Sequence, residues 1–161
     1  MENIFKILSE STKEVFHTMM SLEINVHNEQ LDELSEKIHL SSIITLDGTV
    51  KGAIVFHCTN KLALQITSSL LDEEKPESLN EVDIRDAIAE VTNIIAGNLK
   101  TKVSDLGHSF SISLPKTINW QEYLDETKYI SKERIIKFKS KEEYFFLELL
   151  SENKEKMKKA S

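Results

Sequence analysis

The chain has 161 residues, 40% of them hydrophobic, with 27 acidic against 20 basic side chains and a formal net charge of −7. That is enough apolar content for one well-buried core, with no second core expected. The acidic balance speaks against nucleic-acid binding, where neutralising phosphates supplies most of the affinity, and the single cysteine, Cys58, excludes an internal disulfide or a cysteine-based zinc cluster.

From Met1 to Glu14, charges at Lys6, Glu10 and Glu14 interrupt the apolar groups, so the continuous stretch of a secretory signal is missing. No uncharged apolar run reaches membrane-spanning length. A soluble, cytoplasmic protein is expected.

Residues 3–21 carry Ile4, Phe5, Leu8, Val15, Phe16, Met19 and Met20 at helical spacing and predict a first amphipathic helix. Residues 23–36 are polar, with Asn25, Asn28, Asp32 and Glu36, and read as a connection or an edge strand. From His39 to His57, the runs Ile43-Ile44-Thr45 and Ile54-Val55-Phe56 flank Asp47-Gly48, predicting a hairpin with a positive-φ turn there. Gly52 marks a bulge or a close backbone approach. Asn60 is the expected cap of a helix through Leu62, Ala63, Ile66 and Leu70, followed by a loop over Glu73–Ser78.

A long helix is predicted next, with Asn80 as its N-cap, Asp83 at the reciprocal position of a capping box and Leu79 stapling against Ile84. Beyond Gly107, the alternation Phe110, Ile112, Leu114 predicts a strand ended by Pro115. Tyr129–Phe138 and Tyr144–Leu150 predict a hairpin around Ser140-Lys141; Trp120 and Phe145-Phe146 read as loop and core packing. Residues 1–150 are expected to form one domain and 151–161 a charged, helical tail. The alternation implies an α/β (α+β) sandwich of long helices on a mostly antiparallel sheet, in two similar halves. A weak repeat supports the halves: Glu14-Val15-Phe16-His17 overlays Glu90-Val91-Thr92-Asn93.

The segment from Asn80 to Ser104 carries the chemistry. At about 100° per residue, Asp86, Glu90 and Asn93 share one face, and Gly97 and Lys100 extend it. Val82, Ile84, Ile88, Val91, Ile95 and Leu99 are expected on the opposite, core side. Ala89, Ala96 and Gly97 border the stripe with little bulk. A carboxylate and a carboxamide one turn apart are thus offered to a macromolecule, not enclosed in a pocket. The five histidines show no metal-ligand spacing, with His57 and Cys58 on opposite strand faces, and Ser41, Ser42 and the histidines make no nucleophile motif in sequence.

The order Asp86-x-x-x-Glu90-x-x-Asn93, followed by Pro115, resembles the active-site pattern of the CheC/CheX/FliY phosphatases of bacterial chemotaxis, most closely the CheX branch. Glu14 to Met20, Gly48-x-x-x-Gly52-Ala53 and Asn93 to Asn98 are also CheX-like, over most of residues 3–150. The resemblance implies hydrolysis of the phosphoaspartate on the response regulator CheY. Glu90 would pair with the regulator's active-site lysine, and Asn93 would orient the attacking water. Asp86, Gly97 and Lys100 complete the expected partner-binding set, while Pro115 shapes the strand behind the helix. Mg²⁺ belongs to the regulator in this scheme, and no cofactor or metal ligand is assigned to this chain. His17 stands where a second site would have asparagine, which implies one active centre per chain. A homodimer is also implied. Two alternatives compete: a non-catalytic regulator-binding module, and a flagellar-switch component of the FliY kind.

Overall fold

The computed structural model describes residues 2–27, 37–128, 130–141 and 143–152. In chain order its elements are α1 (Glu2–Met20), β1 (Asn25–Val26), β2 (Ile38–Gly48), β3 (Gly52–Thr59), α2 (Asn60–Leu71), a 3₁₀ turn (Pro76–Ser78), α3 (Glu81–Ser104), β4 (Phe110–Ile112), β5 (Lys116–Ile118), α4 (Trp120–Thr127), β6 (Ile130–Ser140) and β7 (Glu143–Glu152). The strands form one sheet in the order β1-β6-β7-β3-β2-β4, with β5 also paired to β2. Every pairing is antiparallel.

This order is symmetric about the β7–β3 contact. The half α1-β1-β2-β3 lends its short strand β1 to the hairpin β6-β7, and the half containing α3 lends β4 to the hairpin β2-β3. The two predicted halves are therefore interlocked, and helix α2 is inserted between them.

Period-two alternation splits each strand between the two faces of the sheet. Ile54, Phe56 and Cys58 of β3 and Phe145, Leu147 and Leu149 of β7 join the core beneath α1, α2 and α3. Its centre is aromatic: Phe145 stacks on Phe16 at 4.7 Å and on Phe138 at 4.9 Å between ring centroids. On the other face Ala53, Val55 and Leu150 pack with Ile118 and with Tyr123 of α4. Strand β3 is covered on both sides, which explains the apolar run from Ala53 to Phe56 and the burial of every residue from Ala53 to Cys58.

Several boundaries differ from the sequence reading. The β2–β3 turn falls at Thr49–Lys51, and Gly48 stays in the strand. A Cβ on Gly48 would lie 2.2 Å from the Ser109 carbonyl oxygen, so this glycine serves the approach of β4. Gly52 has φ +153° and its missing Cβ makes room for the Leu150 carbonyl oxygen, the close approach that was expected. The cap of α2 is Thr59, whose hydroxyl accepts from the Leu62 N–H at 3.2 Å; Asn60 is the first helical residue.

Leu114 is 90% exposed and outside any strand. Proline at 115 interrupts the ladder, which resumes as the unpredicted β5. Trp120 begins a second unpredicted element, α4, closed at its start by a capping box between Asn119 and Glu122. Ser151 and Glu152 belong to β7; the rest of the expected tail and residues 28–36 lie outside the described residues.

Candidate functional site

Asn80 caps α3 as predicted, its side-chain oxygen accepting from the Asp83 N–H at 2.8 Å. Arg85 ties the first turns to the sheet, its Nη1 donating to the Thr117 carbonyl at 2.9 Å. Ile84, Ile88, Val91, Ile95 and Leu99 are buried in the main core, so the rotation of the helix is fixed by packing. Two expectations on this helix are corrected. Ala96 is buried, and Val82 is 66% exposed, because four residues before Asp86 it lies nearly in line with the polar stripe.

Asp86, Glu90 and Lys100 are exposed, and Asn93 and Gly97 are half-buried. None of the side chains of Asp86, Glu90, Asn93 and Lys100 has a hydrogen-bond or ion-pair partner among the described residues. Gly97 has no side chain to raise the stripe at that point, and a Cβ added there would meet nothing among the described residues within 4 Å. The stripe is a row of unengaged polar groups on a rigid support, about 21 Å long from residue 86 to residue 100.

The matching positions on α1 are engaged. Glu14 accepts an ion pair from Lys102 of α3 at 2.5 Å, and His17 Nδ1 lies 2.5 Å from Glu23 Oε1. The strand order is symmetric, while the polar faces of the two helices differ: that of α1 is tied down within the chain.

Beside the stripe, Leu70, Leu71, Asp83, Asp86, Ala87 and Glu90 line an open groove of about 400 Å³. Sequence reasoning placed Leu70 on the helix, where it packs partly buried against the core, and gave Leu71 no role. The signal available was the position of Leu71 at the last residue of α2, just before a chain reversal.

A second polar cluster lies on the opposite face of the sheet. Ser41 Oγ sits 2.7 Å from His57 Nδ1, and Glu148 Oε2 lies 3.2 Å from His57 Nε2 and accepts the Tyr123 hydroxyl. All four are fully buried or within 1% of it. Cross-strand register explains the meeting, because Ser41 pairs with His57 and Glu148 is diagonal to it through Val55. Burial first, and then the bond to Glu148, push the Tyr123 phenol well above its usual range. Burial likewise raises the Cys58 thiol. Among the described residues no group of three histidine, cysteine or acidic side chains is placed to hold a metal ion, and no helix is long and apolar enough to cross a membrane.

Three helices on one face of an antiparallel sheet and a short one on the other, with exchanged edge strands, define the class: the fold is that of CheX and CheC-like chemotaxis proteins. The chain superposes on CheX from Vibrio vulnificus with a TM-score of 0.72 and 23% identity, covering 91% of this chain and 94% of that one. A CheX-CheY-BeF3-Mg²⁺ complex from Borrelia burgdorferi gives 0.70 and 22%, covering 92% and 97%. The chain belongs to the chemotaxis phosphatase CheX family, whose model matches residues 40–139. The CheY-P phosphatase CheX of Thermotoga maritima is 25% identical over 83 residues, 52% of this chain. The match spans about half the length, 53%, of that curated relative.

Proposed function

We propose that this chain is a protein phosphatase that removes the phosphoryl group from the aspartate of a CheY-type response regulator. The observation that carries the reading is the pairing of an exposed Glu90 with a half-buried Asn93, neither engaged among the described residues, on a helix whose opposite side is locked into the core. Family membership supplies the substrate class. The Thermotoga maritima relative is named for the same activity.

In this reading Glu90 docks against a regulator lysine and sets the register of the complex. Asn93, one turn further on, enters the regulator's site and holds a water in line with the phosphorus–oxygen bond to be broken. Water attacks phosphorus, the aspartate carboxylate leaves, and inorganic phosphate is released. A carboxamide suits this position because it donates one hydrogen bond and accepts another without adding negative charge beside an anionic phosphoryl group. Transfer through a loose transition state asks chiefly for positioning and for stabilisation of spread charge. Mg²⁺, bound by the regulator, neutralises the phosphoryl oxygens.

Asp86 and Lys100 extend the contact, and Gly97 lets the partner backbone approach. Glu14 and His17 are engaged within the chain, which favours one active centre per chain. A homodimer remains part of the proposal, and sedimentation checks it. The activity is tested by following the decay of phosphorylated CheY in Mg²⁺ with and without the chain. Acceleration is expected; an unchanged rate rejects the enzymatic reading in favour of a non-catalytic binding module.

A further inference from the structure

Resting on that reading, we infer that the groove between the end of α2 and the first half of α3 seats a cationic, apolar-edged segment of the response regulator. Leu71 and Asp83 then help select which regulator is brought to Glu90 and Asn93.

The apolar part of the groove lining is Leu70, Leu71 and Ala87. Helix α2 ends there because Asp72 adopts a left-handed conformation, φ 52°, with its N–H bonded to the Ser68 carbonyl. The chain turns away and leaves Leu71 54% exposed. Val82, 66% exposed, adds a further uncovered apolar side chain one turn before Asp86. Large aliphatic side chains exposed beside a polar stripe are characteristic of a surface completed by a partner.

The rim fixes the sign of that partner. Asp83, Asp86 and Glu90 all line the groove, and among the described residues no basic side chain does. Docking removes water from these carboxylates, a cost that opposing cations offset most fully. Glu90 belongs to both the groove and the proposed catalytic pair, so whatever fills the groove is continuous with whatever meets Asn93. From Asp83 to Glu90 the groove runs about 10 Å along the helix, the length of about three extended residues. A short basic and apolar element at the rim of the phosphorylation site fits this size.

The test combines titration of the chain with CheY regulators loaded with beryllofluoride and Mg²⁺, and steady-state hydrolysis of phosphorylated CheY. Leu71→Lys and Asp83→Lys are each expected to raise Kd and KM about ten-fold with kcat within two-fold, while Asn93→Ala lowers kcat and spares Kd. Asp83→Lys is also expected to flatten the salt dependence of binding. Unchanged affinity in both groove variants overturns this inference, and the phosphatase reading stands if the wild type still hydrolyses. A shift in oligomeric state with regulator affinity unchanged also overturns it, assigning the groove to a second copy. If the wild type hydrolyses nothing, the phosphatase reading fails and the beryllofluoride titration alone decides the groove: weaker binding by both variants upholds it, and no binding by the wild type overturns it.

Discussion

Two polar clusters sit on opposite sides of this sheet, and their residue types suggest the reverse of their roles. Ser41, His57 and Glu148 have the composition of a hydrolytic triad, yet they are sealed under α4, where Trp120 and Tyr123 close over the imidazole at 5.6 and 4.6 Å between ring centroids. No substrate reaches a hydroxyl with no exposed surface. Glu90 and Asn93 are ordinary helix-surface residues, but the chain leaves them unengaged on a rigid face. Accessibility and unspent hydrogen-bonding capacity distinguish the two clusters better than residue type does.

The sharpest way to break this comparison is to exchange the kinds of damage each cluster shows. Glu148→Ala is expected to cost about 3–5 kcal/mol of folding stability in urea unfolding, because it strands a buried imidazole and phenol. Regulator affinity per folded molecule should not change. Glu90→Lys is expected to do the opposite: it weakens binding of phosphorylated CheY at least ten-fold by setting a cation against a cation, with a stability change within about 0.5 kcal/mol. If Glu148→Ala removes activity from fully folded protein, the buried cluster has a chemical role and the comparison fails.

A milder probe is Gly97→Ala. The added methyl meets nothing among the described residues within 4 Å, and replacing glycine in a helix interior should raise stability by about 0.5–1 kcal/mol. Loss of regulator affinity in the same variant would sharpen the claim that a partner lies directly on the stripe. The last effect is silent at neutral pH. The folded Tyr123 phenol is held above its unfolded value near 10, so its contribution to stability is complete below about pH 10 and is lost as pH rises beyond it. The slope of stability against pH above 10 should flatten in Tyr123→Phe.

The legible parts of the fold were those with a local cause. The α3 span followed from Asn80 and a long apolar period, and the stripe from spacing alone. The interlocked halves were visible only as a faint match between Glu14–His17 and Glu90–Asn93, because the exchange of β1 and β4 is a long-range event. Helix α4 carried a readable signal, Asn119-x-x-Glu122, that its short length and the preceding β-prone residues masked. Val82 was assigned to the core by its chemistry although its angle placed it on the stripe. The Ser41–His57–Glu148 meeting depends on the register of three strands, which no spacing in the sequence encodes.

The central claim is that the Asn93 amide on an exposed helix face aims a water at a partner's acyl phosphate. The most direct measurement is the single-turnover decay of phosphorylated CheY at saturating chain, comparing wild type with Asn93→Ala in Mg²⁺. The account predicts a drop of about 100-fold in the accelerated rate, with binding and unfolding midpoint preserved. A variant that binds and hydrolyses as fast as the wild type would contradict it.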